Sequence, residues 1–311
     1  MNDSRAAARR PQAGGVDGVV LLDKPVGLSS NVALQRVRRL FGGVRAGHTG
    51  SLDPLASGLL PICLGQATRF SGYLLEAAKS YQVTGLLGAR TSTGDAEGEV
   101  VAHCDWRQVE RQRFAAALDA FRGRIAQVPP MYSALKQGGE RLYRKARRGE
   151  EVARESRAIE IYRLELEAWA APEFSLDVCC SKGTYVRTLV EDVARAAGSC
   201  AHVTALRRYA AGPYDGADMV SLDGLEALAG QGPGRLAEAV LPVDSALAGL
   251  PAVSLGADAA ARLAQGQTVQ LDGDGPSGLV RVYGAGRFLG IGTREPSGEL
   301  HARRLLGTAN A

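Results

Sequence analysis

The sequence predicts an α+β fold that ends in a small β-rich domain, and three observations carry that prediction. Strand-like and amphipathic helical stretches both occur between Gly18 and Tyr209. After Pro251 the pattern changes to short apolar runs separated by glycines. The length, 311 residues, suggests two domains. The expected division is a disordered basic tail over 1–16, a main domain over 17–249 and the β-rich domain over 250–311.

Residues 18–23 (GVVLLD) are a short apolar run bounded by turn residues, as a buried strand is. Ser29, Ser30 and Asn31 offer N-caps for a helix whose apolar face is Leu34, Val37 and Phe41. A glycine-punctuated loop over 46–61 runs into an apolar piece over 59–64, and a helix is expected over 67–77. Residues 79–87 (KSYQVTGLL) place Tyr81, Val83, Gly85 and Leu87 on one face, the period of a strand. A polar loop over 90–98 leads to a helix over 106–121, with Val109, Phe114, Ala117, Leu118 and Phe121 on its apolar side. The Pro-Pro pair in 127–135 (QVPPMYSAL) excludes helix there and marks an ordered loop.

Residues 141–148 have helical propensity but little apolar face beyond Leu142, Tyr143 and Ala146. Strands are expected over 158–169 and 174–180. Residues 181–184 form a turn, and Thr184 caps a helix with Leu189, Val190, Val193 and Ala197 inside. A further strand covers 202–209, after which weakly patterned Gly- and Ala-rich sequence runs to 249. The β-rich domain offers strands over 268–271, 278–283, 288–293 and 300–306.

The net charge is only +4, too small to single out a nucleic-acid binder. Its distribution is more telling. Lys136, Arg141, Arg144, Lys145, Arg147, Arg148 and Arg154 face only Glu140, Glu150 and Glu151 within one segment. Arginine, which dominates the basic residues, suits bidentate phosphate contacts. The five cysteines (Cys63, Cys104, Cys179, Cys180, Cys200) form no C-x-x-C pair, and an odd count with two adjacent does not suggest a disulfide framework. Reduced thiols in a cytoplasmic protein are expected. Neither a signal peptide nor a membrane-spanning run is evident.

The loop AGHTGSLDPLASGLLP holds the most chemistry. Gly47, Gly50 and Gly58 free the backbone, and Asp53 is the only acidic residue between Asp23 and Glu76. Pro54 biases Asp53 away from helix. Taken alone, the stretch fits either an Asx-turn or a catalytic carboxylate. Elsewhere the GAGRFLG run over 284–290 fails as a dinucleotide fingerprint, and the four histidines lack metal-ligand spacing. What remains is a set of polar residues where strands meet turns: Lys24, His48, Asp53, Tyr81, Lys182, Tyr185 and Arg187. An aromatic to stack on a base, an arginine and one carboxylate suit an enzyme acting on an extruded nucleotide.

At this point six motifs in order, DKPVGLSS, GHTGSLDPLASGLLP, KSYQV, QVPPMYSALKQGGERLYRKARRG, CSKGTYVRTL and AHVTALRRYAAGPY, closely resemble those of the TruB family of tRNA pseudouridine synthases. The resemblance covers residues 18–214. It implies the pseudouridine-synthase fold, a mixed, mainly antiparallel sheet flanked by helices, with a small C-terminal domain of PUA type. It implies isomerisation of uridine to pseudouridine at position 55 of the tRNA T-loop, without a cofactor. The family's catalytic aspartate falls on Asp53 and its base-stacking tyrosine on Tyr81. His48 matches the histidine that helps displace the target base. Tyr185 and Arg187 match the pocket tyrosine and the arginine that pairs with the aspartate, Leu206 an apolar pocket wall, and Lys24 with Pro25 a supporting motif. Arg187 beside Asp53 is expected to keep the carboxylate ionised. The expected partner is the T-stem-loop of tRNA, its phosphates gripped by Lys136, Arg141, Arg144, Lys145, Arg147 and Arg148. The intact KARRG segment and the lack of long charged tails favour a stand-alone enzyme that needs neither guide RNA nor a protein partner, and a monomer is expected.

Overall fold

The computed structural model describes residues 16–307, so the expected basic tail lies outside the described residues except for Val16. In chain order, β1 (Gly18–Lys24) is followed by α1 (Ser30–Leu40), β2 (Ala46–His48) and β3 (Ala56–Leu64). A 3₁₀ turn (Gly65–Arg69) and α2 (Ser71–Glu76) lead into β4 (Lys79–Leu87). The hairpin of β5 (Ala89–Thr91) and β6 (Val100–His103) precedes α3 (Arg111–Leu118) and β7 (Gly123–Gln127). A smaller hairpin, β8 (Lys136–Gln137) and β9 (Glu140–Arg141), carries α4 (Leu142–Arg147). Then come β10 (Arg157–Ala170), β11 (Glu173–Cys180), α5 (Val186–Ala197) and β12 (Ala201–Ala211). After β13 (Val220–Ser221), α6 (Leu222–Gly230) and α7 (Pro233–Ala237) the chain enters a second sheet. That sheet comprises β14 (Ala252–Leu255), β15 (Val269–Gln270), β16 (Gly278–Gly284), β17 (Arg287–Arg294) and β18 (Glu299–Leu305), with α8 (Ala257–Ala264) against it.

The main sheet runs β13-β1-β3-β12-β4-β11-β10-β7, with β2 beside β3. Only β1–β13 and β3–β12 pair in parallel. β12, late in the chain, therefore lies between β3 and β4, each met much earlier. The alternation read in β4 holds. Tyr81, Val83 and Leu87 are buried, and Gly85 faces the Phe174 ring so closely that a Cβ there would stand 2.3 Å from it.

On one face of the sheet α5 buries Leu189, Val190, Val193 and Ala197, α3 buries Phe114 and Leu118, and α1 buries Ala33, Leu34 and Val37. Each such fully buried aliphatic side chain contributes roughly 1.5–3 kcal/mol. The α1 boundary follows its cap: Ser29 Oγ accepts from the Val32 amide at 3.3 Å. On the other face Val19, Leu21, Leu59, Phe70 and Leu74 form a second cluster that reaches Ile291 of the second sheet.

Several expectations change. The helix over 67–77 is two pieces, because the Phe70 ring is fully buried and packs 5.7 Å from that of Phe288. The helix over 106–121 starts only at Arg111: Trp106 opens a separate turn and lies against Gly88. Thr184 is not the cap of α5. Its hydroxyl donates to the Ser181 carbonyl at 3.0 Å and closes the turn, and Tyr185 takes the cap position. The weakly patterned stretch before residue 249 holds α6 and α7, whose buried Leu222, Leu225 and Leu236 are too sparse to show a period. Among the cysteines, Cys104 and Cys200 are joined in a disulfide, contrary to the expected free thiols. Gly88 brings them together: its amide donates to the Cys200 carbonyl, and its carbonyl accepts from the Cys104 amide. Cys63, Cys179 and Cys180 are free.

Candidate active site

The loop between β2 and β3 is pinned on both flanks. The Leu52 amide donates to Ser30 Oγ at 2.7 Å, the Gly27 amide to the Pro54 carbonyl at 2.7 Å, and the Thr49 amide to the Pro61 carbonyl at 3.1 Å. The Ala56 amide closes a four-residue turn onto the Asp53 carbonyl at 3.1 Å, with Pro54 in the second position that proline favours. At the end of the loop Gly58 adopts φ +99°, and a Cβ would stand 2.2 Å from the Arg208 carbonyl oxygen. Only glycine permits that approach. The backbone thus makes the turn, while the Asp53 carboxylate turns away from it.

That carboxylate meets Arg187, at the start of α5: Nε lies 2.9 Å from Asp53 Oδ2 and 3.7 Å from Asp95 Oδ2. The rest of the guanidinium is held by backbone, with Nη2 donating to the Tyr132 carbonyl at 2.9 Å and Nη1 to that of Thr93. Asp95 is buried and fixed in turn by Thr93 Oγ1 at 2.5 Å and the Glu97 amide at 3.1 Å. Its loop is docked to β12 by a parallel bridge to Val203. Gln127 clamps Tyr185: its amide nitrogen donates to the Tyr185 carbonyl at 3.1 Å, and its oxygen accepts from the Tyr185 amide at 2.8 Å.

Two cavities meet at Asp53. The larger, about 1200 Å³, includes His48, Ser51, Asp95, Tyr132, Lys136, Arg141 and Arg147 in its lining. The smaller, about 320 Å³, includes Lys79, Tyr81, Lys182, Tyr185, Leu206 and Arg208. Ser51, Leu52, Asp53, Tyr132, Ser133, Ala134 and Arg187 belong to both. Such a volume is at the small end for a ligand pocket. A wide groove therefore continues, past one carboxylate, into a smaller niche whose lining includes Tyr81, Tyr185 and Leu206.

At Asp53 burial works against the ion pair. The Asp53 side chain keeps 41% of its surface and lines both cavities, but protein atoms crowd it elsewhere. That desolvation raises its pKa above the ordinary carboxylate value; Arg187 counteracts the rise without cancelling it. Lys24 is fully buried and donates to the Pro25 and Leu28 carbonyls at 2.7 Å each. Burial lowers it to about 8, against the pull of Asp53. It lines neither cavity and braces the β1–α1 loop instead. Burial also lowers His48, with help from Arg208, so its ring is neutral near pH 7.

The structure thus gathers His48, Asp53, Tyr81, Tyr185, Arg187 and Leu206 around one junction. The basic segment is divided. Lys136, Arg141 and Arg147 line the groove, whereas Arg144 and Lys145 do not. Arg148 is engaged by Glu140 at 2.7 and 2.9 Å and by Glu150 at 2.7 Å. Sequence reading missed Asp95, Gln127, Lys79 and Arg208. The last two carried a signal: lysine and arginine inside otherwise apolar strand patterns.

The same architecture occurs in solved structures of low sequence identity. A structure described as a Cbf5-Nop10-Gar1 complex aligns with TM-score 0.71 at 24% identity, covering 93% of this chain and 85% of that one. An H/ACA RNP bound to a substrate RNA containing 2′-deoxyuridine aligns with TM-score 0.72 at 21% identity, covering 94% and 86%. That likeness is one of fold.

Sequence carries the assignment further. Residues 38–186 match the N-terminal domain of the TruB family pseudouridylate synthases, 187–248 the tRNA pseudouridylate synthase B C-terminal domain, and 251–306 the C-terminal domain of pseudouridine synthase II TruB. The chain is 49% identical over 302 residues to the tRNA pseudouridine synthase B of Sodalis glossinidius, spanning 95% of this chain and 97% of that protein. It is 50% identical over 299 residues to that of Nitrosococcus oceani, spanning 96% and 97%. This protein belongs to the TruB family. Among the described residues no helix is long and apolar enough to cross a membrane.

Proposed function

We propose that this enzyme isomerises uridine 55 in the T-loop of tRNA to pseudouridine, with Asp53 as its catalytic carboxylate. The observation that carries the reading is the place of Asp53, held by Arg187 on the wall shared by a large groove and a smaller niche. A nucleotide extruded from an RNA loop enters the niche base first and stacks on Tyr81, with Tyr185 and Leu206 as further walls. Asp53 then faces the sugar and ring edge where the N-glycosidic bond breaks and the carbon–carbon bond forms. His48, neutral and in the groove, fills the space that the base has left. Arg187 orients the carboxylate and favours its ionised form.

The groove receives the T-stem-loop, recognised by shape and backbone. Lys136, Arg141 and Arg147 supply its phosphate contacts. Residues 17–249 form the catalytic domain, and 250–311 an RNA-binding domain of PUA type. The enzyme acts as a monomer without guide RNA.

Tritium release from a T-stem-loop transcript carrying 5-labelled uridine tests this reading. Release is expected with the protein alone and is lost in Asp53→Asn, which still binds the RNA. Absence of release without added guide RNA or protein, or release by Asp53→Asn, overturns it.

A further inference from the structure

The niche carries a positive charge that its carboxylates do not balance. Arg187 is matched by Asp53 and Asp95, and Lys182 by Glu76. Arg208, at 1% exposure, instead donates through Nε to the Leu59 carbonyl at 2.7 Å and through Nη2 to the Gly50 carbonyl at 3.0 Å. Lys79, at 6% exposure, donates to the carbonyls of Leu74, Leu75 and Ala77 at 3.0, 2.7 and 2.7 Å. Neither cation reaches a carboxylate among the described residues, and both line the niche.

Burying a cation without an anionic partner is costly, and carbonyl dipoles offset only part of that cost. The field of Arg208 is felt throughout the site. Burial, then Arg208, brings Lys79 down to about 8, so it stays a cation at neutral pH. The Tyr81 phenol, which burial pushes up, is drawn down again by the same guanidinium. The surroundings of Arg208 are built to keep it there. Gly58 lets β3 close onto its backbone, and a Cβ on Gly50 would stand 3.4 Å from its Nη1.

Where uridine is the substrate, the chemistry has a use for this charge. When the N1–C1′ bond breaks, its electron pair stays with the base and spreads over N1, O2 and O4. The electron-deficient C1′ faces Asp53. The base turns, C5 forms the new bond to C1′ with that pair, and the C5 hydrogen leaves as a proton to water. We propose that Arg208, assisted by Lys79, stabilises the detached uracil as an anion while it turns. Arg208 acts across Tyr81 through its fixed field and also holds the Asp53 loop by Gly50, so it is a positioning residue. The proposal rests on the uridine-isomerase reading of the niche.

The test compares T-stem-loops containing uridine or 5-fluorouridine at the target position, since fluorine stabilises the base anion. The readout is the single-turnover loss of the N-nucleoside. Arg208→Gln should slow uridine conversion by roughly 10²–10³-fold while RNA affinity changes by less than about 3-fold. The loss on 5-fluorouridine should be at least about tenfold smaller. Arg208→Lys should recover most of the rate, and Lys79→Gln should show a weaker loss with the same substrate dependence. Equal losses on the two substrates, or a defect confined to RNA affinity, overturn the proposal. If Arg208→Gln does not fold, Arg208→Lys and Lys79→Gln decide by the same comparison. Failure of the unmodified protein to convert either loop instead sinks the uridine reading itself.

Discussion

Arg187 Nε stands 2.9 Å from Asp53 Oδ2, and Arg187, which makes this contact, is only 5% exposed. The ion pair is asymmetric: one partner is locked in protein, and the other opens on the cavities. Removing Asp53 leaves Arg187 still matched by Asp95, whereas removing Arg187 leaves two carboxylates facing each other. Arg187→Met is therefore the more damaging change to the fold, by about 3–5 kcal/mol in chemical denaturation, with Asp53→Asn costing clearly less.

Asp95→Asn should lower the single-turnover rate by about 10²-fold with RNA affinity little changed, because Arg187 loses its second anchor and Asp53 its orientation. Thr93 and the Glu97 amide can still hold the asparagine oxygen, so the melting temperature should fall only slightly. A fall in affinity equal to the fall in rate would contradict this role.

The acidity of Asp53 predicts a pH profile. Its pKa is raised by burial, so ionisation is complete only above the usual carboxylate range. The single-turnover rate, measured from roughly pH 4 to pH 9, should fall about tenfold per unit below that raised value and level off above it. Arg187→Gln removes the influence that lowers this pKa, so the acid limb should move to still higher pH.

Much of this was legible before any coordinates. The loop around Asp53, the Tyr81 strand and the Tyr185–Arg187 turn are local motifs, and local motifs survive folding. β4 begins and ends where its alternation does. Asp95 could not be read, because it lies in a polar loop whose meaning comes from Arg187, far along the chain. Phe70 was misjudged for the same reason: a ring in the second sheet, not helical propensity, decides its backbone. The Asp53 turn was half right, since the backbone forms it and the side chain takes no part.

The cysteine expectation failed on distance too, since the pair is 96 residues apart. By chain entropy, closing a loop of that length by a disulfide stabilises a fold by about 4.7 kcal/mol. Cys104→Ser should lose that amount under oxidising conditions and nothing under strong reductant, as seen in urea titrations of both forms.

Gly58→Ala should destabilise the protein by about 2–4 kcal/mol, through positive φ and collision with the Arg208 backbone. Gly72→Ala, where a Cβ meets nothing within 4 Å, is the control and should leave the melting temperature nearly unchanged.

The place of β12 has a consequence for how the enzyme comes into being. β1, β2 and β3 form one ribbon and β4, β11, β10 and β7 another, and β12 is the strand that pairs with both. During synthesis, Asp53 and Tyr81 leave the ribosome on separate ribbons and have no shared strand until residues 201–211 follow. A nascent chain stopped before Ala201 lacks Leu206, Arg208 and the strand that lies between β3 and β4. The two ribbons that carry Asp53 and Tyr81 are thus joined by a single strand supplied late in the chain.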